Sequence, residues 1–249
     1  MTDKNLAFGI DISRYNTSAD GRLKMDFAQV ASHDPAVSFI GMRAGISWGY
    51  QDPWFSFYFQ EAMRINRVCL PYHVLYPGEP AISQMDNFFR IVGTIDFERV
   101  PLVLDLELSH GQSVSRITET TAKAIQTLTR RTGRKPILYS RSSWVNQYLR
   151  VSALPPVHWW LAQYLWARPY PLYTPEYPSP PDPLPHGVST WLIHQTTARG
   201  KSIGTLARHY MDYNRFNGSQ AGLREFIGQP DNMPATCPFD DLPCERARR

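Results

Sequence analysis

The chain has 249 residues, of which 43% are apolar, 13% aromatic and 19% charged, a balance that describes a soluble globular protein able to bury one substantial core. Twenty-six Lys and Arg against 22 Asp and Glu leave a net charge of +4 and a pI near 9.0, which suits an anionic partner such as a bacterial wall or nucleic acid without requiring one. Residues 1–13 (MTDKNLAFGIDIS) show no basic stretch followed by an apolar run of secretory length, and nothing approaches the ~20 consecutive apolar residues of a bilayer span, so neither an export signal nor membrane insertion is expected.

Taken in chain order, residues 7–12 (AFGIDI) read as a strand with Phe8, Ile10 and Ile12 on one face and Gly9, Asp11 and Ser13 on the other. Helical patterns at 24–33, 54–66, 82–96 and 115–132 alternate with strands at 37–43, 69–75 and 101–107. The last of those helices opens with Ser115 and stops at Gly133 before Pro136. Further strands follow at 136–140, 158–164, 190–195 and 207–213, for a total of eight. Strand, helix, strand repetition implies parallel pairing and an α/β fold, whereas beyond about residue 150 helices thin out and some pairing is expected to turn antiparallel. Between Arg168 and His186 stand eight prolines, which forbid helix interior and central strand alike; an extended loop is expected, its Tyr170, Tyr173 and Tyr177 suited to rim a cleft. The reading gives one domain over residues 1–228 and a flexible tail over 229–249.

Three cysteines cannot all pair, so no disulfide framework holds the fold: Cys69 reads as a buried small hydrophobe, while Cys237 and Cys244 either close a small loop or stay free. Phosphate-cradling glycine loops, a nucleophile elbow and zinc-ligand spacings are missing, so neither metal nor cofactor is expected. Carboxylates remain. In PLVLDLEL, Leu102, Leu104, Leu106 and Leu108 share one strand face and Val103, Asp105 and Glu107 the other, so two acids project side by side from an apolar strand. Burying them there is costly unless they are paired or used, and paired carboxylates commonly serve acid catalysis. Asp11 and Asp212 recur near the ends of the first and last strands; in a closed barrel all four acids converge at its C-terminal mouth. Tyr72 and His73, Tyr139, Trp160 with Tyr164, and His194 with Gln195 end other strands, and together they suit a cleft for sugar rings and N-acetyl groups. Lys and Arg do not cluster among these rings, which argues against a nucleic-acid partner.

GIDISRYN, FIGMRAG, LPYHVLYPG, PLVLDLE, PILYS, WWLAQY, WLIHQTT and MDYNRFNG, in this order over residues 7–218, resemble the family-25 glycoside hydrolases, the Chalaropsis-type lysozymes. The resemblance implies an irregular, flattened TIM-like (β/α) barrel that hydrolyses the β-1,4 bond between N-acetylmuramic acid and N-acetylglucosamine in peptidoglycan. Carried over by motif, Glu107 is the general acid, Asp105 the second catalytic carboxylate, and Asp11 and Asp212 acids that shape the site. Tyr72, Tyr139, Trp160 and Gln195 fall on substrate-contacting positions. The chain departs from the family where a Trp-Gln-Tyr-like run is replaced around Gln195 by Ile193, His194 and Thr196. A monomer acting on peptidoglycan glycan strands is expected, compatible with a phage-encoded lysin released from the cytoplasm through a pore made by another protein or with an injected effector. Two rivals stand beside it: a non-catalytic wall-binding or virion structural protein on the same barrel, and a chitinase-like hydrolase, which would want a further acid where this chain has Val103. A magnesium-dependent carboxylate site would lack a phosphate cradle.

Overall fold

A computed structural model describes residues 6–164 and 181–228. Most of the Pro-rich loop, with its three tyrosines, and the tail with Cys237 and Cys244 lie outside the described residues. The elements in order are β1 (Phe8–Ile12), α1 (Phe27–Ser32), β2 (Val37–Ile46), β3 (Tyr50–Gln51), α2 (Phe55–Arg64), β4 (Val68–Val74), α3 (Ala81–Val92), β5 (Val103–Asp105), α4 (Val114–Thr132), β6 (Ile137–Arg141), α5 (Ser142–Tyr148), β7 (His158–Ala162), β8 (Ile193–Lys201), β9 (Tyr210–Phe216) and α6 (Gln220–Phe226). Single 3-10 turns occupy Arg14–Asn16 and Val151–Ala153.

Eight strands close into a barrel in the order β1, β2, β4, β5, β6, β7, β8, β9, with β9 returning to β1, and β3 is a two-residue flap on β2. Pairing is parallel from β1 through β8 and antiparallel where β9 meets β8 and β1. The expected eight strands, the α/β class and the antiparallel turn late in the chain therefore all stand. Closure is what makes a period of two decisive: every strand has one face inside the barrel and one against the helices. Phe39, Leu70, Val103, Ile137, Trp160, Ile193 and Phe216 fill the inside. Their neighbours Phe8, Ile10, Ile40, Met42, Leu104, Leu138 and Tyr213 pack outward under the helices. β2 carries ten residues with nine buried, the continuous burial of a parallel strand covered on both sides.

Several boundaries move for local reasons. α4 begins at Val114, before Ser115, because the Ser113 hydroxyl accepts the Arg116 N–H at 3.2 Å and so caps the helix; its end at Gly133 is as expected, with φ of 71°. α3 stops at Val92 rather than 96, since Gly93 leaves the helix with φ of 65°. The strand at 101–107 keeps ladder pairing only over Val103–Asp105, and Glu107 stands just past it. β8 and β9 run further than expected, to Lys201 and Phe216. α5 and α6, each seven residues long, escape a periodicity reading. Cys69 is buried with a free thiol, and burial pushes that thiol up.

Candidate active site

At the C-terminal ends of the parallel strands the inward side chains change from apolar to polar and bound a cavity of about 250 Å³. All four acids meet there: Asp11 from β1, Asp105 and Glu107 from and just beyond β5, and Asp212 from β9. Tyr72, Tyr139, Trp160 and Gln195 line the same cavity, so the eight residues singled out from the sequence come together.

Asp11 sits in a closed hydrogen-bond network. Its Oδ2 accepts from Gln195 Nε2 at 2.9 Å and from Asn214 Nδ2 at 2.8 Å. Behind these amides, Trp160 Nε1 donates to Asn214 Oδ1 at 2.9 Å and the Tyr139 hydroxyl donates to Gln195 Oε1 at 2.9 Å. An indole N–H can only donate, so the Asn214 oxygen must face Trp160 and its nitrogen must face Asp11. Gln195 and Trp160 thus act as much on Asp11 as on the cavity; both are almost fully buried.

Asp11 and Asp212 are directly opposed across the β1–β9 ladder. Two carboxyl groups brought together this way favour keeping a proton between them. Burial and then the Asp11 charge hold Asp212 well above the ordinary carboxylate range. Burial also raises Asp11, while the bonds from Asn214, Gln195 and Asp212 pull it back.

The second pair is arranged differently. Burial first, then the Glu107 and Asp11 charges, hold Asp105 well above its usual range, and the Arg43 and Arg141 guanidiniums oppose them. Asp105 Oδ1 is buried without a hydrogen-bond partner among the described residues. Glu107 is raised by burial and by Asp11 while Arg141, whose Nη2 lies 3.8 Å from Glu107 Oε2, pulls it down. With its side chain 35% exposed, Glu107 is the member of the pair open to a ligand. Four acids so close cannot all be ionised near neutrality, and the cluster retains protons that a solvated carboxylate would lose. Such a site can donate a proton to a bound oxygen and set an anion against developing positive charge.

Some positions did not follow the sequence reading. His73 and His194 do not line the cleft: His73 stacks on Phe88 at 5.0 Å on the outer face, and His194 Nε2 bonds the Gln163 carbonyl at 2.8 Å. Adjacent strand residues face opposite ways, so Tyr72 and Gln195 exclude their own neighbours. The same parity turns Thr196 away from the cavity, towards the Tyr213 carbonyl at 3.3 Å, so His194 and Thr196 depart from a Trp-Gln-Tyr-like run on the barrel's outside, while Ile193 packs in the barrel interior without lining the cavity. Asn214, Arg141 and Arg208 were not singled out, although the cavity or its network uses all three. Asn214 was within reach, since it shares the face of Asp212; the arginines come from separate elements and had no local pattern.

The pattern of the glycosyl hydrolases family 25 matches residues 10–205. The chain belongs to this family. As a family 25 glycoside hydrolase it shares its barrel with a bacterial lysozyme from Streptomyces coelicolor (TM-score 0.71, 23% identity, covering 90% of this chain and 98% of that one). A family 25 glycosyl hydrolase from Bacillus anthracis superposes with a TM-score of 0.71 at 20% identity over 92% and 95% of the two chains. A lysozyme of the family from Aspergillus fumigatus gives 0.70 at 22% identity over 90% and 99%. In sequence the family 25 chain is 25% identical to the uncharacterized protein YegX of Escherichia coli K12 over 221 residues, 88% of this chain and 72% of YegX.

Proposed function

We propose that this glycoside hydrolase is a muramidase, cleaving the β-1,4 bond between N-acetylmuramic acid and N-acetylglucosamine in peptidoglycan. The observation that carries the reading is the meeting of Glu107 and Asp105 at the open end of the barrel, with Asp11 fixed behind them by the Gln195 and Asn214 amides. Glu107 gives its proton to the glycosidic oxygen as the carbon–oxygen bond breaks. Asp105, with Arg43 and Arg141 nearby, faces the positive charge that develops at the sugar carbon or on its cyclised N-acetyl group. A water molecule then attacks and returns a proton to Glu107. Val103, two residues before Asp105, lines the same cavity as an apolar group, so the additional acid of a chitinase-like site is not supplied there. The lysozymes and muramidases that share the fold favour the peptidoglycan substrate, and phage endolysins among them favour a lytic use of it.

The test is digestion of purified peptidoglycan followed by borohydride reduction and mass spectrometry of the fragments. New reducing ends should be N-acetylmuramic acid, and reducing-end N-acetylglucosamine would overturn the assignment. Glu107→Gln keeps shape but carries no transferable proton, so kcat should fall by more than ~100-fold with folding intact. Full activity in that variant would remove Glu107 from the mechanism.

A further inference from the structure

Along the β9–β1–β2 side of the mouth, arginines from three distant parts of the chain meet around one exposed ring. Tyr15, 51% exposed on the turn after β1, has the guanidinium carbon of Arg14 at 4.9 Å from its ring centroid, that of Arg43 at 5.4 Å and that of Arg208 at 5.8 Å. Arg14 Nη2 also donates to the Tyr15 hydroxyl at 3.2 Å. Of the three only Arg43 is ion-paired, its Nε bonding Asp52 Oδ2 at 2.9 Å in a buried pair. Arg14 and Arg208 form no ion pair among the described residues. Gathering like charges on one ring is unfavourable without a counter-ion, and ring faces offset only part of the repulsion. The patch is continuous with the catalytic cavity, because Arg208 lines that cavity beside Asp212.

We propose that Arg14, Tyr15 and Arg208, with Arg43 beneath them, form an anion subsite that takes a carboxylate of the peptide carried by the glycan. The inference rests on the muramidase reading and deepens it. A glycan with its scissile bond at Glu107 lays flanking sugars over the rim, and every second sugar of peptidoglycan bears an acidic peptide. Guanidinium forks match carboxylates in geometry, and the open Tyr15 face can support a sugar or a peptide plane. Arg43 has Asp52 and Arg208 has Asp11 and Asp212 on the cavity side, and the substituent supplies counter-charge on the solvent side, at Arg14 and the open face of Tyr15.

Binding is measured on the Glu107→Gln protein, with soluble peptidoglycan fragments that keep their peptides and with the same fragments stripped by an amidase and then converted to the amide at the lactyl carboxylate that the amidase uncovers. The peptide-bearing fragment should bind about tenfold more tightly at low salt, and the preference should fade towards ~0.5 M salt. Adding Arg14→Gln should cut the preference to about threefold or less without changing Kd for the stripped fragment, and Arg14→Lys should restore part of it. Tyr15→Ala, checked for folding by its Tm, should weaken both fragments. Equal Kd for the two fragments, or a preference that survives Arg14→Gln, would overturn the subsite. Tighter binding of a peptide-free glycerol-phosphate polymer would overturn the carboxylate assignment in favour of a wall polymer. Turnover by the unaltered enzyme separates the two readings: cleavage without discrimination removes the subsite alone, and no cleavage of either fragment removes both.

Discussion

Asp11 occupies the centre of the site without being its most exposed acid. Two amide donors fix its charge, and that charge raises Asp105, Glu107 and the phenols of Tyr72 and Tyr139. On the muramidase reading its work is electrostatic: it keeps the proton on Glu107 to a higher pH than burial alone would. Asp11→Asn removes the charge, so Glu107 loses its proton at lower pH. The alkaline limb of the kcat/KM profile should move to lower pH, beyond any loss of rate. An alkaline limb that stays in place in a folded Asp11→Asn protein would assign that limb to another group.

The elements hold these side chains together through close approach as much as through pairing. On β2, Gly41 lies beside Asp11 in the β1–β2 register, and a Cβ there would stand 2.6 Å from Trp160 Cη2 and 2.8 Å from Asp11 Cβ. Gly41→Ala must therefore displace the indole or the carboxylate. A loss of about 1–3 kcal/mol is expected in denaturant unfolding, with a larger proportional loss of turnover because Trp160 orients Asn214 and through it Asp11. Turnover that fell no further than stability would show the network to be tolerant of such a shift. The strand alternation that separates Asp105 and Glu107 from four leucines was legible because burial on one face repeats every second residue. So was the placement of Asp11, Tyr139 and Trp160. Arg14, Arg43 and Arg208 were not legible, since only barrel closure brings β2, the turn after β1 and the β8–β9 connection together. The pairing of His73 with Tyr72 and of His194 with Gln195 as cleft residues ignored that alternation, and burial of both imidazoles among outer-face groups is the result.

For the whole molecule, the acids to which the muramidase reading gives the chemistry are expected to weaken the fold near neutrality. Closing β1 onto β9 places Asp11 against Asp212, β5 adds Asp105 to the same buried region, and Glu107 stands just past β5 at its open side. Burial raises all four carboxyl groups in the folded protein, whereas in the unfolded chain they titrate near pH 4. Above that pH the folded state binds more protons than the unfolded one, so unfolding free energy falls as pH rises towards the raised folded values. The stability that protonation confers is complete below about pH 4 and is lost as pH climbs through the folded range, opposite in sign to a salt-bridged acid. His73 runs the other way: its folded value is pushed down to about 3, so the unfolded ring takes a proton first and stability is lost as pH falls from about 6.5 towards 3. The Tm should therefore peak in mildly acidic buffer and decline towards pH 8. Asp212→Asn and Asp105→Asn should each raise Tm at pH 7 and flatten that decline, while Asp105→Asn abolishes most turnover, a separation of stability from activity expected at a site built from like charges. Calorimetry of the parent and both variants between about pH 4.5 and 8 checks this, and a parent whose Tm rises steadily across that range would show the acids to be ionised and compensated in the folded protein.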